Sequence, residues 1–468
     1  MPESSPRLTA LKLLSRIERD GAFSNLALNA LPEDSGLSIR DRRFVWALVC
    51  GVTERRLTLE YFIRRHCEKM PKGKVLSLLR MGFYQLYYMD TVPQSAAVNE
   101  TVELAKTVGE PHAAGFVNAV MRAASKVSPS VPVGTDVNAM SVRYSVTTGL
   151  VKSLIRDYGK TAAEGILNAS FRGQDVLTVR VNTLKTTPET LAKIWAEHQI
   201  KSEPGPLPGS LRAQGGVNPT ALPGFEDGLF HVQDFSSQLC CLLLNPKPGD
   251  RVLDACAAPG GKSFTMAELM ENRGEITAAE LRENRIGLIE SGARRLGLHI
   301  INATARDSSL PWEEEMKTSG DGENGLRRRE PPGLTDTFQA RLKDKILCDV
   351  PCSGFGILRK KPEIRYKNVT LLDTLPEIQY RILRESSALL GVGGRLIYST
   401  CTLRREENEN VCLKFLKENP HFAPLPIARD LEKYGMKHAK TDKAENMSSL
   451  LPQDNQTDGF FIAGFQRN

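Results

Sequence analysis

The chain has 468 residues, 41% of them hydrophobic and 25% charged, which suffices for two or three domains with cores of their own and excludes a small disulfide-stapled scaffold. Lys and Arg outnumber Asp and Glu by 62 to 55, a net charge of +7 too mild to imply a nucleic-acid partner by itself. No run of about 18 apolar residues exists to cross a bilayer, and Met1-Pro2-Glu3-Ser4-Ser5-Pro6 lacks the basic start and apolar core of a secretory signal, so a cytoplasmic protein without a membrane partner is expected.

The first quarter reads as helix. Leu8, Leu11, Leu14 and Ile17 recur at three-residue spacing, and Val75, Leu78, Leu79 and Leu86 with Tyr84 and Tyr87 mark a second apolar face. Residues 1–130 hold 18 Lys and Arg against 13 Asp and Glu, with basic pairs at Arg42-Arg43, Arg55-Arg56 and Arg64-Arg65 that suit either a phosphate backbone or a solvated helix face. Ser, Pro and Val break the periodicity over 127–134, so an all-α domain is expected over 1–128. A small α+β domain follows over 138–234, in which 147–169 reads as helix and 176–182 alternates β-branched with polar residues as a strand does. The stretch 204–223 is rich in Pro and Gly and reads as loop.

Over 235–468 strands and helices alternate. Apolar strand cores at 251–256, 275–280, 345–350 and 394–400 are separated by helical stretches such as 263–272 and 282–296, which predicts an α/β fold with a parallel, doubly wound sheet. A last strand over 459–464 completes the sheet. The charged, Gly/Pro-rich stretch 313–343, with Arg327-Arg328-Arg329 inside it, reads as a surface insertion. No internal repeat is present.

Nine cysteines are scattered without a CxxC pair or a partnered histidine, which argues against a disulfide framework and leaves no metal expected. The chemistry gathers after the first parallel strand, at Cys256-Ala257-Ala258-Pro259-Gly260-Gly261-Lys262, where Gly260 and Gly261 let backbone N–H groups approach a small charged ligand at a helix start. A phosphate loop would need glycine five residues before Gly261, where Cys256 stands, and the turn is no G-x-G-x-x-G fingerprint either. Glu280 ends the next strand, about 20 residues on, where this architecture aims a carboxylate at ribose hydroxyls. Asp307, beyond the third strand, suits an adenine amine. An adenosine ligand without a triphosphate cradle points to S-adenosyl-L-methionine. Cys352, after Asp349-Val350-Pro351, and Cys401, after Ser399-Thr400, stand at the ends of the last parallel strands, where the ligand crevice lies; two thiols there suggest a nucleophile and an assistant. Cys240, Cys241 and Cys348 read as core fillers.

Together these motifs resemble the RNA cytosine-5 methyltransferases of the NOL1/NOP2/Sun type. The resemblance rests on residues 254–263, Glu280 with Arg285, Asp307, Asp349-Val-Pro-Cys-Ser-Gly354, Arg359-Lys-Lys-Pro-Glu-Ile-Arg365, Tyr398-Ser-Thr-Cys-Thr402 with Glu406-Glu407-Asn408, and Asp458-Gly-Phe-Phe461. The helical region, with Gly82-Phe-Tyr-Gln-Leu86, Val98-Asn-Glu-Thr-Val102 and Phe116-Val-Asn-Ala-Val-Met-Arg122, is similar to the NusB-type RNA-binding domain that precedes the catalytic part of the bacterial small-subunit rRNA enzyme. Nearly the whole chain is covered. Departures are Glu280, where the family usually has Asp, Arg405, in place of a frequent Pro, and the long 313–343 insertion.

The resemblance implies a Rossmann-like class I S-adenosyl-L-methionine-dependent methyltransferase sheet, with an all-α NusB-like domain and a small α+β linker domain before it. Cys256, Ala257, Ala258, Pro259, Gly260, Gly261, Lys262, Glu280, Arg285, Asp307 and Asp349 would hold the cofactor. The implied substrate is a cytosine of small-subunit (16S) ribosomal RNA, free or in an assembly intermediate, methylated at C5 by a monomeric enzyme. Such chemistry needs a thiolate to add to C6 before C5 can take a methyl group, and the resemblance assigns attack to Cys401 and release to Cys352, with Asp349 beside the base. Arg359, Lys360 and Arg365 would hold RNA phosphates around the exposed base. The alternatives are the same chemistry on tRNA or DNA, where in the related DNA enzymes the Pro-Cys thiol attacks, and a non-catalytic RNA-binding assembly factor, against which the two cysteines argue. N-methyltransferases of this fold usually carry Asp-Pro-Pro-Tyr or Asn-Pro-Pro-Tyr where Asp349-Val-Pro-Cys352 stands here.

Overall fold

Helices dominate the first third of the chain in the computed structural model, which describes residues 5–20, 24–29, 31–32, 36–171, 176–214, 218–312, 342–437, 439–440, 445–455 and 457–468. The three-residue spacing of the start becomes helix Pro6–Asp20, with Leu11, Leu14 and Ile17 buried against Val45, Leu48, Leu59, Leu78, Leu79 and Val117 from the helices that follow. Helix Ile39–Glu54 begins on a capping box in which the Ser38 side chain accepts the Asp41 N–H and Asp41 caps Ser38 in return. The expected helix over 147–169 is two helices, Thr148–Tyr158 and Lys160–Ala169, because Gly159 sits between them at φ +77°, where only glycine is at ease.

This first unit comprises Met1–Phe171 together with Leu358–Thr370. The later segment buries Pro362, Ile364 and Arg365 in it. Arg365 has no exposed surface; its guanidinium donates to the carbonyls of Tyr144 (3.0 Å) and Ser170, lies 3.7 Å from the Glu54 carboxylate and faces the Phe171 ring at 4.8 Å. The Tyr366 hydroxyl donates to the Thr53 carbonyl at 2.7 Å and accepts the Arg56 N–H at 3.0 Å. A buried cation is tolerated when a carboxylate and carbonyl acceptors face it in this way.

The second unit, Arg172–Ile357 with Leu371–Asn468, contains two sheets. In the smaller, β1 (Val176–Val181), β2 (Ser202–Pro204), β3 (Ser210–Gln214) and β4 (Phe230–Val232) run antiparallel in the order β2-β3-β1-β4. Val179, Val181, Leu211 and Phe230 pack there with Leu191 and Trp195 of helix Pro188–Glu197. β3 falls inside the stretch expected to be loop: the Pro and Gly residues flank it, and Leu211 and Ala213 alternate inward between polar neighbours. The three-part boundaries expected from sequence cut across the observed division, since helices 137–169 belong to the first unit and the small sheet to the second.

In the larger sheet β5 (Arg251–Asp254), β6 (Glu275–Glu280), β7 (Ile301–Ala305), β8 (Lys343–Asp349) and β9 (Leu390–Thr400) are parallel, in the order β7-β6-β5-β8-β9. β10 (Phe422–Pro424), β11 (Ala439–Lys440), β12 (Met447–Leu450) and β13 (Phe460–Arg467) extend it antiparallel, with β13 paired to β9, β12 and β10. Alternate residues feed two cores: Val252, Ile276, Leu347 and Ile397 one, Leu253, Ile346, Leu396 and Tyr398 the other, as expected for strands buried on both faces. The chain passes from β5 to β6 on one side and later returns to β8 on the other. That reversal of strand order opens a crevice at the C-terminal ends of β5 and β8. Of the expected insertion 313–343, residues 313–341 lie outside the described residues, and Lys343 begins β8. Among the described residues no helix is long and apolar enough to cross a membrane.

Candidate active site

β5 ends at Asp254 and the chain turns through 255–260 into helix Gly261–Leu269. Gly260 stands at φ +110°, and a Cβ there would overlap the Phe264 ring, so the turn depends on glycine. The turn is stitched to its neighbours: the Ala257 N–H donates to the Ala279 carbonyl at 2.8 Å, and the Ala258 carbonyl accepts from Arg285 Nη2 at 2.9 Å. Asp254 Oδ2 accepts the Ser263 hydroxyl at 2.7 Å, and burial pushes the Asp254 carboxyl up to about 6 despite that bond and the nearby Lys262.

Glu280, the last residue of β6, is nearly buried. It accepts the Arg282 N–H at 3.1 Å and pairs with Arg285 at 3.4 Å. Asp307 lies two residues past β7 and accepts the Ser309 N–H at 2.9 Å, while the Ser308 hydroxyl donates to the Ala255 carbonyl and ties this loop to the turn after β5. Three neighbouring strand ends thus present the Gly turn and two carboxylates at one edge.

The next two strand ends carry the thiols. β8 and β9 pair Cys348 with Tyr398 and Asp349 with Ser399, so the residues following them reach the same edge in register. Cys352 Sγ lies 3.1 Å from Cys401 Sγ, and both cysteines are half-buried. Beside them Asp349 accepts the Lys262 ammonium at 2.6 Å and the Ser399 hydroxyl at 2.8 Å. Burial, the largest single influence, would lower the Lys262 pKa, but the charge and hydrogen bond of Asp349 together with neighbouring Cys240 and Cys241 raise it, which keeps the ammonium charged. The hydrogen bond with Cys401, and burial after it, push the Cys352 thiol well above the ordinary range, so Cys352 carries its proton. Cys240 and Cys348, buried, are pushed up to about 12, as inert fillers should be.

Backbone contacts fix the two thiol turns. The Gly356 N–H donates to the Cys401 carbonyl at 2.9 Å, the Gly459 N–H donates to the Gly356 carbonyl at 2.9 Å, and a Cβ at Gly356 would overlap the Gly459 carbonyl oxygen. Sequence reasoning gave no role to Gln379, Ser399, Glu407 or Asn408, which line these turns; the Glu-Glu-Asn run after Thr402 was the available signal. The expected RNA contacts fall differently. Arg359, Lys360 and Arg365 all lie on the segment that belongs to the first unit. Lys360 is exposed and Arg359 half-buried, but Arg365 is enclosed and its Nη1 and Nη2 donate to backbone carbonyls, so it is a structural residue and not a phosphate ligand. Among the described residues no group of three His, Cys, Asp or Glu side chains could hold a metal ion.

Two thiols beside a carboxylate–ammonium pair, at the edge that also carries a Gly turn, can form and break a covalent bond to a bound substrate. Residues 241–466 match the family described as 16S rRNA methyltransferase RsmB/F, and residues 4–126 match the NusB family. Over 474 residues, all of both chains, the sequence is 35% identical to the Bacillus subtilis (strain 168) protein named probable ribosomal RNA small subunit methyltransferase B. The chain belongs to the RsmB/F family. Its Synechocystis relative of the same name is 32% identical over 99% of each chain. The crystal structure of PH0851, 21% identical, covers 100% of this chain and 99% of its own with a TM-score of 0.79, a likeness of fold. As a member of RsmB/F the protein is a methyltransferase whose cofactor is S-adenosyl-L-methionine.

Proposed function

We propose that the protein methylates C5 of a cytosine in small-subunit (16S) ribosomal RNA through a covalent bond between Cys401 and C6 of the base. The observation that carries this reading is the pair of thiols, 3.1 Å apart at the ends of adjacent parallel strands and flanked by Asp349. Cytosine C5 alone is too weak a nucleophile. Addition of the Cys401 thiolate to C6 makes an enamine with electron density at C5, and Asp349 accepts a hydrogen bond from the cytosine amine or protonated N3. S-adenosyl-L-methionine, when bound, supplies the electrophilic methyl group that C5 takes. A base then removes the C5 proton, the electrons reform the C5–C6 double bond, and Cys401 leaves with the C–S pair; Cys352 serves this release.

The residues fit the cofactor. Glu280 is a carboxylate held by Arg285 at the ribose end of the crevice, Asp307 suits the adenine amine, and the turn Cys256 to Lys262, with Gly260 lacking a Cβ, lets backbone N–H groups come close. Arg285 also binds the Ala258 carbonyl, so it braces Glu280 against the turn. Lys262 orients Asp349 through their ion pair. The basic excess of residues 1–130, the NusB family match and the exposed Lys360 support RNA contact, with Arg359 beside it on the same segment.

Bisulfite sequencing of 16S rRNA and tRNA from cells with and without the gene tests the reading. One 16S cytosine should lose its protection on deletion and regain it with the intact gene but not with Cys401→Ala. A protected cytosine lost from tRNA and none from 16S rRNA would move the substrate to the runner-up.

A further inference from the structure

Residues 407 and 408 join two separate hydrogen-bond systems. Glu407 is fully buried, and its Oε2 accepts the Ser353 N–H at 2.8 Å and the Gln379 side-chain amide at 3.0 Å. The same amide donates to the Pro351 carbonyl at 2.9 Å, so the backbone on both sides of Cys352 is held through one carboxylate oxygen and one amide. Glu407 Oε1 faces Arg404 at 3.4 Å, which compensates the buried charge, and the Glu407 carbonyl accepts the Tyr398 hydroxyl at 2.6 Å. Asn408, equally buried, serves the other turn. Its Oδ1 accepts the Thr400 hydroxyl at 2.6 Å and its Nδ2 donates to the Thr402 carbonyl at 3.0 Å, bracketing Cys401. The two brackets are joined by the 2.6 Å contact of the Ser353 and Thr402 hydroxyls, beside the bond from the Gly356 N–H to the Cys401 carbonyl.

We propose that Glu407 and Asn408 are positioning residues that divide the work between the thiols: Glu407 holds Cys352 for release, and Asn408 holds Cys401 for attack. The proposal rests on the assignment of attack to Cys401 and release to Cys352. Neither residue touches the reacting atoms. Adjacent in sequence and rigidly buried, they fix the spacing of two turns that meet only at this edge. A displaced thiol loses rate steeply, because a reacting group about 1 Å out of place can cost roughly a hundredfold.

Loss of each bracket should therefore stop the reaction at a different step. Full-length variants are incubated with S-adenosyl-L-methionine and an unmodified 16S rRNA transcript, and the methylated cytosine and the RNA–protein adduct surviving denaturing electrophoresis are both measured. Glu407→Ala should permit attack and methyl transfer but slow elimination, raising the adduct at least tenfold while turnover falls. Glu407→Gln, which keeps an oxygen for the Ser353 N–H, should restore most of the turnover. Asn408→Ala should lower adduct and product together. Binding of S-adenosyl-L-methionine by calorimetry verifies folding, and if Glu407→Ala fails that check, Gln379→Leu, which frees the Pro351 carbonyl, should reproduce the trapped adduct. Parallel loss of adduct and product in the folded Glu407 and Gln379 variants would overturn the division of labour. Cys352→Ala and Cys401→Ala run alongside: if Cys352→Ala traps no adduct, the assignment of the thiols has failed; if it traps adduct and the Glu407 variants do not, only the positioning proposal has.

Discussion

Asp254 closes β5 with its carboxyl group out of water and one oxygen, Oδ1, without a hydrogen-bond partner. Burial raises its pKa from 3.8 to about 6, a shift worth about 3 kcal/mol. Below about pH 4 the group is protonated whether the chain is folded or not, and the shift has no effect. Between 4 and 6 the unfolded chain ionises first, so stability falls as pH rises, and above 6 the whole cost is present. Asp254→Asn should accordingly melt at a higher temperature than the parent at pH 7, by an amount equivalent to about 1–3 kcal/mol, and lose that advantage below about pH 4; calorimetry on the two sides of that value decides. The Glu280 carboxylate is held by Arg285 and the Arg282 N–H. Glu280→Ala should weaken S-adenosyl-L-methionine binding by about 1–3 kcal/mol, the cost of a lost charged hydrogen-bond partner. An unchanged calorimetric affinity in a folded variant would remove Glu280 from the cofactor site.

The turn that leaves β8 is the element on which the thiol geometry depends. Gly356 brings its N–H to the Cys401 carbonyl and its own carbonyl to Gly459, and it can do so only without a side chain. Gly356→Ala should cost about 1–3 kcal/mol or more of stability, because the atom it meets is rigid backbone, and turnover should fall further than cofactor binding. A thermal scan and a methylation assay test this together; a variant that melts and turns over like the parent would refute it. Strand ends of this kind were legible in the sequence, since the apolar strand cores within Glu275–Glu280 and before Asp349 leave the next polar residue at the crevice. The strand Ser210–Gln214 was not, because the Pro and Gly residues around it swamp a five-residue alternation. Arg365 misled for a different reason. A basic residue shortly after a catalytic turn looks like a phosphate ligand, and only the carbonyls of Tyr144 and Ser170, far away in sequence, reveal it as interior. Glu407 and Asn408 stood in a visible run, but the role of Glu407 depends on Ser353 and Gln379, which no local pattern announces.

At the scale of the molecule, the first unit is discontinuous: it takes residues 358–370 from the middle of the catalytic sequence. A chain beginning at residue 176 keeps both sheets but deprives Arg365 and Tyr366 of Glu54, Thr53, Tyr144 and Ser170. Trypsin should then cut rapidly within that segment, at Arg359, Lys360, Arg365 or Lys367, while the intact protein resists there; equal resistance of the two would show that the segment does not depend on the helices. The same discontinuity imposes an order on biosynthesis. About 200 residues separate Phe171 from the end of the returning segment, so at about 5–20 residues per second the ribosome needs roughly 10–40 s to deliver Arg365 to the helices already made. Through that interval the nascent helical unit carries an unfilled slot lined by Glu54 and the Tyr144 and Ser170 carbonyls, and it closes only after β8 and the Cys352 turn have themselves been synthesised.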